Sequence, residues 1–152
     1  MKIVIDTNIM FSAILNTQGK IGQILISGSK HFKFYSVGLL KDELNKHREK
    51  ILRISDYSSN QYEEILQTIT SKIHFIDDIF ISDKSVEAAW ELTKDIDDND
   101  TLFIALANEL NSFVWTGDKK LISGLRAKGF SKVLTTDDLY KRFLEYEYGK
   151  NI

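Results

Sequence analysis

The chain has 152 residues, of which 43% are hydrophobic and 28% are charged, a composition typical of one globular domain over residues 1–152. The absence of cysteine excludes disulfides and thiolate metal sites, and the net charge of −2 argues weakly against a nucleic-acid partner. No apolar run approaches the ~20 residues that span a bilayer, and the first residues lack the apolar core of a signal peptide. We therefore expect a cytoplasmic protein that makes no membrane contact.

The first half of the chain is predicted to contain two strands and four helices. Lys2–Ile5 is expected to form a short buried strand. Gly19 and Gly28 are expected to end the two helices that follow it, and Asn60 with Glu63 to form the capping box of the fourth helix. The predicted helices cover about 8–15, 21–28, 39–51 and 60–73, and an aromatic-rich second strand covers 32–37.

The second half of the chain continues the alternation of helices with short apolar strands. The predicted helices cover 85–93, 101–110, 121–127 and 136–146, with Thr136 as the last N-cap, and the predicted strands cover 113–116 and 133–134. Such alternation favours a parallel sheet with helices on both faces. Because ligands of these folds bind outside the carboxyl ends of the strands, the residues that close each strand are the candidates for chemistry.

Two predicted strands end in an aspartate. Asp6 follows the run Ile3-Val4-Ile5, and Asp118 closes the stretch VWTGD, where Gly117 is expected to allow a tight turn. Either aspartate alone is also explained as the N-cap of the next helix. The repeated pattern, in which an aspartate follows a buried strand, indicates that the two serve one site.

A third group of acids lies in the stretch DIDDNDTLFIALA. It contains Asp95, Asp97, Asp98 and Asp100, whose charges repel one another. A solvated loop before a helix N-terminus accounts for part of this pattern. Asp100, however, begins an apolar helix, so its side chain is expected to lie beside the buried face. A bound metal ion would remove the repulsion.

The stretch LLKDELNKH supplies a further acid, either Asp42 or Glu43, and helical spacing alone does not choose between them. Carboxylate oxygens are hard ligands that suit Mg²⁺ or Mn²⁺. One or two such ions, held by three or four acids, activate water and stabilise an in-line displacement at phosphorus. The three histidines, His31, His47 and His74, lie too far apart in the chain for a paired metal motif and are expected to be ordinary surface or core residues.

Four stretches together give the sequence a recognisable pattern. VIDTNIM, DELNKH, DNDTLFIALA and WTGDKKLISGL occur in this order between residue 2 and about residue 140. The chain thereby resembles the PIN-domain family of metal-dependent ribonucleases, which includes the VapC-type toxins. The resemblance implies a three-layer α/β/α fold whose parallel sheet has the strand order 3-2-1-4-5.

The resemblance also implies which side chains bind the metal ion. It selects Glu43 over Asp42, assigns supporting roles to Asn8 and Thr116, and leaves Asp97 as a candidate helper one turn before Asp100. The surplus of acids around Asp100 departs from the family's pattern. The implied ligands of Mg²⁺ or Mn²⁺ are Asp6, Glu43, Asp100 and Asp118.

An RNA substrate is the further implication, with hydrolysis of a phosphodiester that leaves a 5′-phosphate. The net negative charge is compatible with RNA if a metal ion neutralises the acids. Lys119 and Lys120 adjoin Asp118 and are the best-placed phosphate contacts. Two basic groups are available in all: Lys119, Lys120, Arg126, Lys128 and Lys132 in one, and Lys41, Lys46, Arg48, Lys50 and Arg53 in the other.

The resemblance implies partners as well: a small antitoxin whose segment covers the acidic cleft, and a second copy of the chain in a homodimer. Tyr140 and Phe143 have the helical spacing of core residues. The main alternative function is a non-catalytic PIN-fold module that binds RNA or protein. A haloacid-dehalogenase phosphatase is disfavoured, because Asn8 and Ile122 occupy positions where that chemistry needs acids.

Overall fold

Five parallel strands form the centre of the molecule in a computed structural model, which describes residues 1–149. They are β1 (Lys2–Ile5), β2 (Lys33–Val37), β3 (Ile73–Ile76), β4 (Phe113–Trp115) and β5 (Val133–Leu134). Their order is β3-β2-β1-β4-β5, and every adjacent pair is parallel. The expected α/β fold and strand order are confirmed.

The central strand β1 is buried on both faces. Ile3, Val4 and Ile5 are fully buried, because β2 and β4 flank the strand in the sheet and helices cover it above and below. A strand in this position reads as a continuous apolar run rather than as an alternating one. The central position of β1 therefore explains why the sequence begins with an uninterrupted apolar stretch.

Helices pack on both faces of the sheet. They begin and end, in the described part of the chain, as α1 (Thr7–Leu15), α2 (Lys20–Ser27), α3 (Leu39–Lys46), α4 (Arg48–Ser55), α5 (Ser59–Thr70), α6 (Asp83–Thr93), α7 (Thr101–Leu110), α8 (Lys119–Ala127) and α9 (Thr136–Tyr148). Phe143 is buried and Tyr140 packs against the core, as predicted, whereas Tyr146 and Tyr148 are exposed. No helix within residues 1–149 is long and apolar enough to cross a membrane.

The predicted helix over residues 39–51 is wrong in one respect, because it breaks at His47. The backbone of His47 has φ −103° and ψ 11°, which ends α3 and starts α4. Neither glycine nor proline marks this break, and the apolar spacing of Leu40, Leu44 and Ile51 continues across it. The spacing therefore predicted one helix where the chain forms two.

The predicted helix over residues 60–73 is also wrong at both ends. Its N-cap is Ser58, which forms the capping box with Gln61, rather than Asn60 with Glu63. Its predicted last residue, Ile73, instead begins strand β3, which the sequence analysis missed. Ile73 follows Ile69 at helical spacing, and this hid the change from helix to strand.

Candidate functional site

The carboxyl ends of β1 and β4 bring the first and fourth predicted acids together. Ile5 is paired with Trp115, so Asp6 and Thr116 leave the sheet side by side. The Thr116 hydroxyl donates to Asp6 Oδ2 at 2.6 Å and accepts the Asp118 backbone N–H at 3.1 Å. Thr116 is fully buried, so this threonine links the two aspartates inside the protein.

Asp6 is both a helix cap and a buried acid. Its Oδ1 accepts the Ile9 backbone N–H at 3.0 Å as the N-cap of α1, and the residue is 4% exposed. Burial raises the pKa of the Asp6 carboxyl, and the charge of Asp118 raises it further, whereas hydrogen bonds from Thr116 and Ile9 oppose the rise. Asp6 therefore does cap α1, and the capping bond fixes its side chain beside the acidic pocket described below.

Asp118 is the N-cap of α8. Its Oδ1 accepts the backbone N–H groups of Lys120 and Leu121 at 3.0 and 3.1 Å, which leaves Oδ2 without a donor among residues 1–149. The turn before it does not require glycine, contrary to expectation. The φ of Gly117 is not positive, and a Cβ at Gly117 would have no neighbour within 4 Å.

Asp100 has a strongly perturbed carboxyl as well. It occupies the N-cap position of α7, but its side chain makes no capping hydrogen bond. Burial raises the pKa of Asp100 to about 7, with further contributions from the charges of Asp6, Asp97, Asp118 and Glu43. The four predicted acids are therefore close enough to influence one another electrostatically, although they come from four separate segments of the chain.

A pocket of about 210 Å³ collects most of these acids at the carboxyl edge of the sheet. Asp6, Glu43 and Asp100 line it, and Asp97 joins them. Asp118 does not line the pocket itself and acts on it through its charge. Phe11 and Phe103 supply apolar walls.

The structure also separates Glu43 from Asp42. Glu43 is half-buried and lines the acidic pocket. Asp42 is exposed and lines a different groove, beside Phe75. The geometry thus distinguishes the two acids, which helical spacing did not.

Three contacts hold in place the acidic loop, residues 94–100 between α6 and α7. Asp95 forms an ion pair with Lys128, whose ammonium also donates to the last carbonyls of α6. The Thr101 hydroxyl lies 2.7 Å from the Thr93 hydroxyl in a buried contact. Ile96 packs so closely on Gly124 of α8 that a Cβ there would lie 2.9 Å from Ile96 Cγ1. One of the surplus acids, Asp95, therefore anchors the loop to α8.

Three polar residues that the sequence analysis did not assign to the site also line the pocket: Thr7, His47 and Asn99. The ring of His47 meets that of Phe11 edge-on at 5.6 Å. His47 was expected to be an ordinary histidine. Its position one helical turn after Glu43 was the available signal, since residues four apart share a helix face.

Several members of the two basic groups have structural partners. Lys128 caps α6, and Lys132 donates to the Asn111 side chain at 2.6 Å beside the end of α7. Arg48 pairs with Glu63, and Lys41 lies 4.4 Å from the centre of the Phe75 ring. Lys119 and Lys120 are exposed and form no ion pair within residues 1–149, and these two also adjoin Asp118.

A family model described as PIN domain matches residues 4–138 of the chain. The protein belongs to the PIN domain family. Its sequence is also 33% identical to an uncharacterized protein of Methanocaldococcus jannaschii over an alignment of 125 residues. The alignment covers 81% of this chain and 74% of that protein. The fold is similar to a chain in the crystal structure of VapBC2 from Rickettsia felis bound to a DNA fragment from their promoter. The TM-score is 0.64 at 20% identity, over 89% of this chain and 98% of that one.

The donor set of this PIN domain suits a hard cation, but its side chains are not already arranged around one. No group of three or more His, Cys, Asp or Glu side chains in residues 1–149 is placed to hold a metal ion as it stands. The acids nevertheless lie close enough for their charges to add to the effect of burial, and together these raise the pKa of Asp100 to about 7. Ligation needs side-chain rotation, which the attraction between a cation and the carboxylates would drive.

Asp100→Asn is expected to stabilise the metal-free PIN domain at high pH. The folded Asp100 carboxyl protonates near pH 7, whereas in the unfolded chain it protonates near pH ~4. The folded state binds more protons between these values, so this group adds stability as the pH falls and costs stability at pH 8. The variant should melt about 2–4 °C higher at pH 8, the effect of ~1 kcal/mol in a domain of this size.

The measurement is thermal unfolding with chelator between about pH 4 and pH 8, with Asp98→Asn as the control because Asp98 is exposed and does not line the pocket. The gain of Asp100→Asn should shrink as the pH falls below about 7 and disappear near pH ~4, where the unfolded carboxyl also becomes protonated, and Asp98→Asn should show none. Equal or lower stability of Asp100→Asn at pH 8 would contradict the electrostatic description.

Gly124→Ala is expected to destabilise the protein by up to about 2 kcal/mol. The added methyl group would meet the side chain of Ile96, and overpacking of this kind costs about 1–3 kcal/mol. The better helix propensity of alanine within α8 returns about 1 kcal/mol. Urea unfolding measures the change. Gly38→Ala is the control without a clash, because a Cβ at Gly38 would have no neighbour within 4 Å. A gain in stability of about 1 kcal/mol for Gly124→Ala, the effect of helix propensity alone, would show that Ile96 does not pack tightly on Gly124.

Proposed function

We propose that this PIN domain is an Mg²⁺- or Mn²⁺-dependent endoribonuclease whose ligands are Asp6, Glu43, Asp100 and Asp118. The observation that carries the proposal is the raised pKa of Asp100, about 7, in a pocket that collects acids and that no lysine or arginine among residues 1–149 lines. A group of carboxylates in such a pocket is costly unless a cation binds there. Family membership supports the same chemistry.

The four acids differ in how firmly the protein holds them. Asp6 is fixed by Thr116 and Ile9, so it provides the most rigid oxygen donors of the set. Asp118 has one oxygen held by backbone N–H groups and the other free of protein donors within residues 1–149. Asp100 has no capping bond, so its carboxylate is free to rotate. The site therefore contains one ligand that the protein holds rigidly, Asp6, and one that can rotate toward an ion, Asp100.

A divalent ion in this site would lower the pKa of a coordinated water and stabilise the charge that develops on the phosphate. The Thr116 hydroxyl, which bonds to the Asp6 carboxylate and to the Asp118 backbone N–H, would hold these two ligands in fixed positions relative to each other. A carboxylate of the site that does not coordinate the ion would accept the proton of the attacking water. Phe11 and Phe103 would limit the access of bulk water to the pocket.

RNA cleavage by purified protein tests this function. Wild type should cleave single-stranded RNA with Mg²⁺ or Mn²⁺ and lose activity with chelator. Asp6→Asn and Asp118→Asn should reduce the rate at least ~100-fold, because each removes a charge from the ligand set. Both retain an oxygen that can cap their helix, so thermal unfolding should show that they fold.

Asp98→Asn is the control for these variants, since Asp98 shares the acidic loop but does not line the pocket. It should cleave at the wild-type rate. Wild-type activity in Asp6→Asn or Asp118→Asn at saturating metal would refute the ligand assignment. A calorimetric titration separates the alternative of a non-catalytic module, which should take up no Mn²⁺ at this pocket.

We propose that Lys119 and Lys120 bind the RNA backbone beside the acids. Replacing both with glutamine should weaken RNA binding and lower the slope of log affinity against log salt by about 1–1.5, at ~0.7 per phosphate contact. Fluorescence anisotropy at several salt concentrations measures both quantities. Lys84→Gln is the control, because Lys84 lies far from the acids. It is at the start of α6, close to the cap Ser82, and Ser82 bonds to Glu109 near the end of α7 that is opposite Asp100. An equal loss in Lys84→Gln would indicate only a general charge effect.

The biological role that we propose is that of a toxin neutralised by an antitoxin. The sequence resembles the VapC-type toxins, and the fold similarity to a chain of VapBC2 from Rickettsia felis supports this role. An antitoxin segment that covers the acidic pocket would block access of RNA. The proposal includes a cytoplasmic location and a homodimer, for which the exposed side chains of Ile79 and Phe80 offer an apolar contact surface.

A further inference from the structure

Thr7 has a buried hydroxyl without a hydrogen-bond partner. The residue is 8% exposed, and no donor or acceptor within residues 1–149 contacts its Oγ1. Thr7 also lines the acidic pocket, immediately after Asp6. Buried hydroxyl groups are almost always hydrogen-bonded, so an exception at a site needs an explanation.

The other buried threonines all satisfy their hydroxyls. Thr93 donates to the Ala89 carbonyl one turn earlier, at 3.0 Å, and Thr101 donates to the Asp98 carbonyl at 2.7 Å. Thr116 donates to Asp6. Thr7 cannot use the common helical solution, because it is the first residue of α1 and has no earlier turn whose carbonyl is free.

Thr7 lies at the N-terminus of α1, where the Asp6 carboxylate already accepts the Ile9 N–H. The Thr7 hydroxyl has no such partner within residues 1–149 and can still donate to a ligand. Asn8, the next residue, also lines the pocket and is exposed. Glu43 and Asp100 line the same pocket. The pocket thus combines carboxylates that suit a cation with side-chain donors that suit an anion.

We propose that the Thr7 hydroxyl donates a hydrogen bond to a non-bridging oxygen of the scissile phosphate. This inference rests on the proposed nuclease function and adds a substrate-binding residue to it. Bound RNA supplies the acceptor that the protein alone lacks. The bond strengthens as negative charge grows on the phosphate in the transition state, so it should act mainly on kcat.

The test compares Thr7→Val with Thr7→Ser in steady-state cleavage of a short single-stranded RNA with Mn²⁺. Valine keeps the branched shape and removes the hydroxyl, whereas serine keeps the hydroxyl. Thr7→Val should lower kcat about 10–100-fold with little change in KM, the effect of losing one hydrogen bond to a charged group. Thr7→Ser should stay within about threefold of wild type by the same criterion.

Two measurements separate this role from a structural one. Thr7→Val should melt at or above the temperature of wild type without metal, because it removes an unsatisfied buried hydroxyl. Its Mn²⁺ affinity by calorimetry should match that of wild type. Ser112→Ala is the matched control: the Ser112 hydroxyl is also buried and unpartnered, but Ser112 does not line the pocket. It should cleave normally.

The outcomes are distinct. Wild-type kcat in Thr7→Val, or an equal loss in Thr7→Ser, would overturn the role of Thr7 while leaving the nuclease function intact. A parallel loss of Mn²⁺ affinity would also overturn it, because the hydroxyl would then serve the metal rather than the phosphate. Absence of RNA cleavage by the wild-type protein would overturn the proposed function and this inference together.

Discussion

Repulsion among carboxylates is the constraint on which the candidate site depends. Asp6, Glu43, Asp97, Asp100 and Asp118 act on one another at the carboxyl edge of the sheet, and the pKa of Asp100 rises to about 7 as a result of burial and these charges. A protein gains no stability from such an arrangement by itself. The fold must hold the acids together through other contacts, and a cation must offset the electrostatic cost if the acids are to stay ionised.

The contacts that hold the acids come from the fold itself. The pairing of β1 with β4 sets Asp6 beside Thr116, and one hydroxyl then links Asp6 to the backbone of Asp118. The acidic loop is secured by apolar packing of Ile96 on Gly124 and by buried threonines. Rigid elements thus position the side chains, while the free oxygens of Asp100 and Asp118 keep the mobility that ligation requires.

The sequence predicted the topology and the acids better than it predicted the local boundaries. Alternating apolar segments predicted the parallel sheet, and the order of four acidic stretches predicted its strand order through family resemblance. The break at His47 was missed because Leu40, Leu44 and Ile51 keep helical spacing across it. Strand β3 was missed because Ile73 follows Ile69 at helical spacing. The ion pair of Lys128 with Asp95 and the unpartnered hydroxyl of Thr7 depend on tertiary packing, which no local pattern encodes.

The acids are expected to converge on one divalent cation. A crystal of the protein soaked in Mn²⁺ and measured at the manganese absorption edge would reveal the ion. An anomalous peak is expected within coordination distance, about 2.0–2.3 Å, of oxygens from Asp6 and Asp100, with Glu43 or Asp118 completing the set directly or through water. A fully loaded crystal with no peak in this pocket, or with its only peak at a distant surface acid, would contradict it.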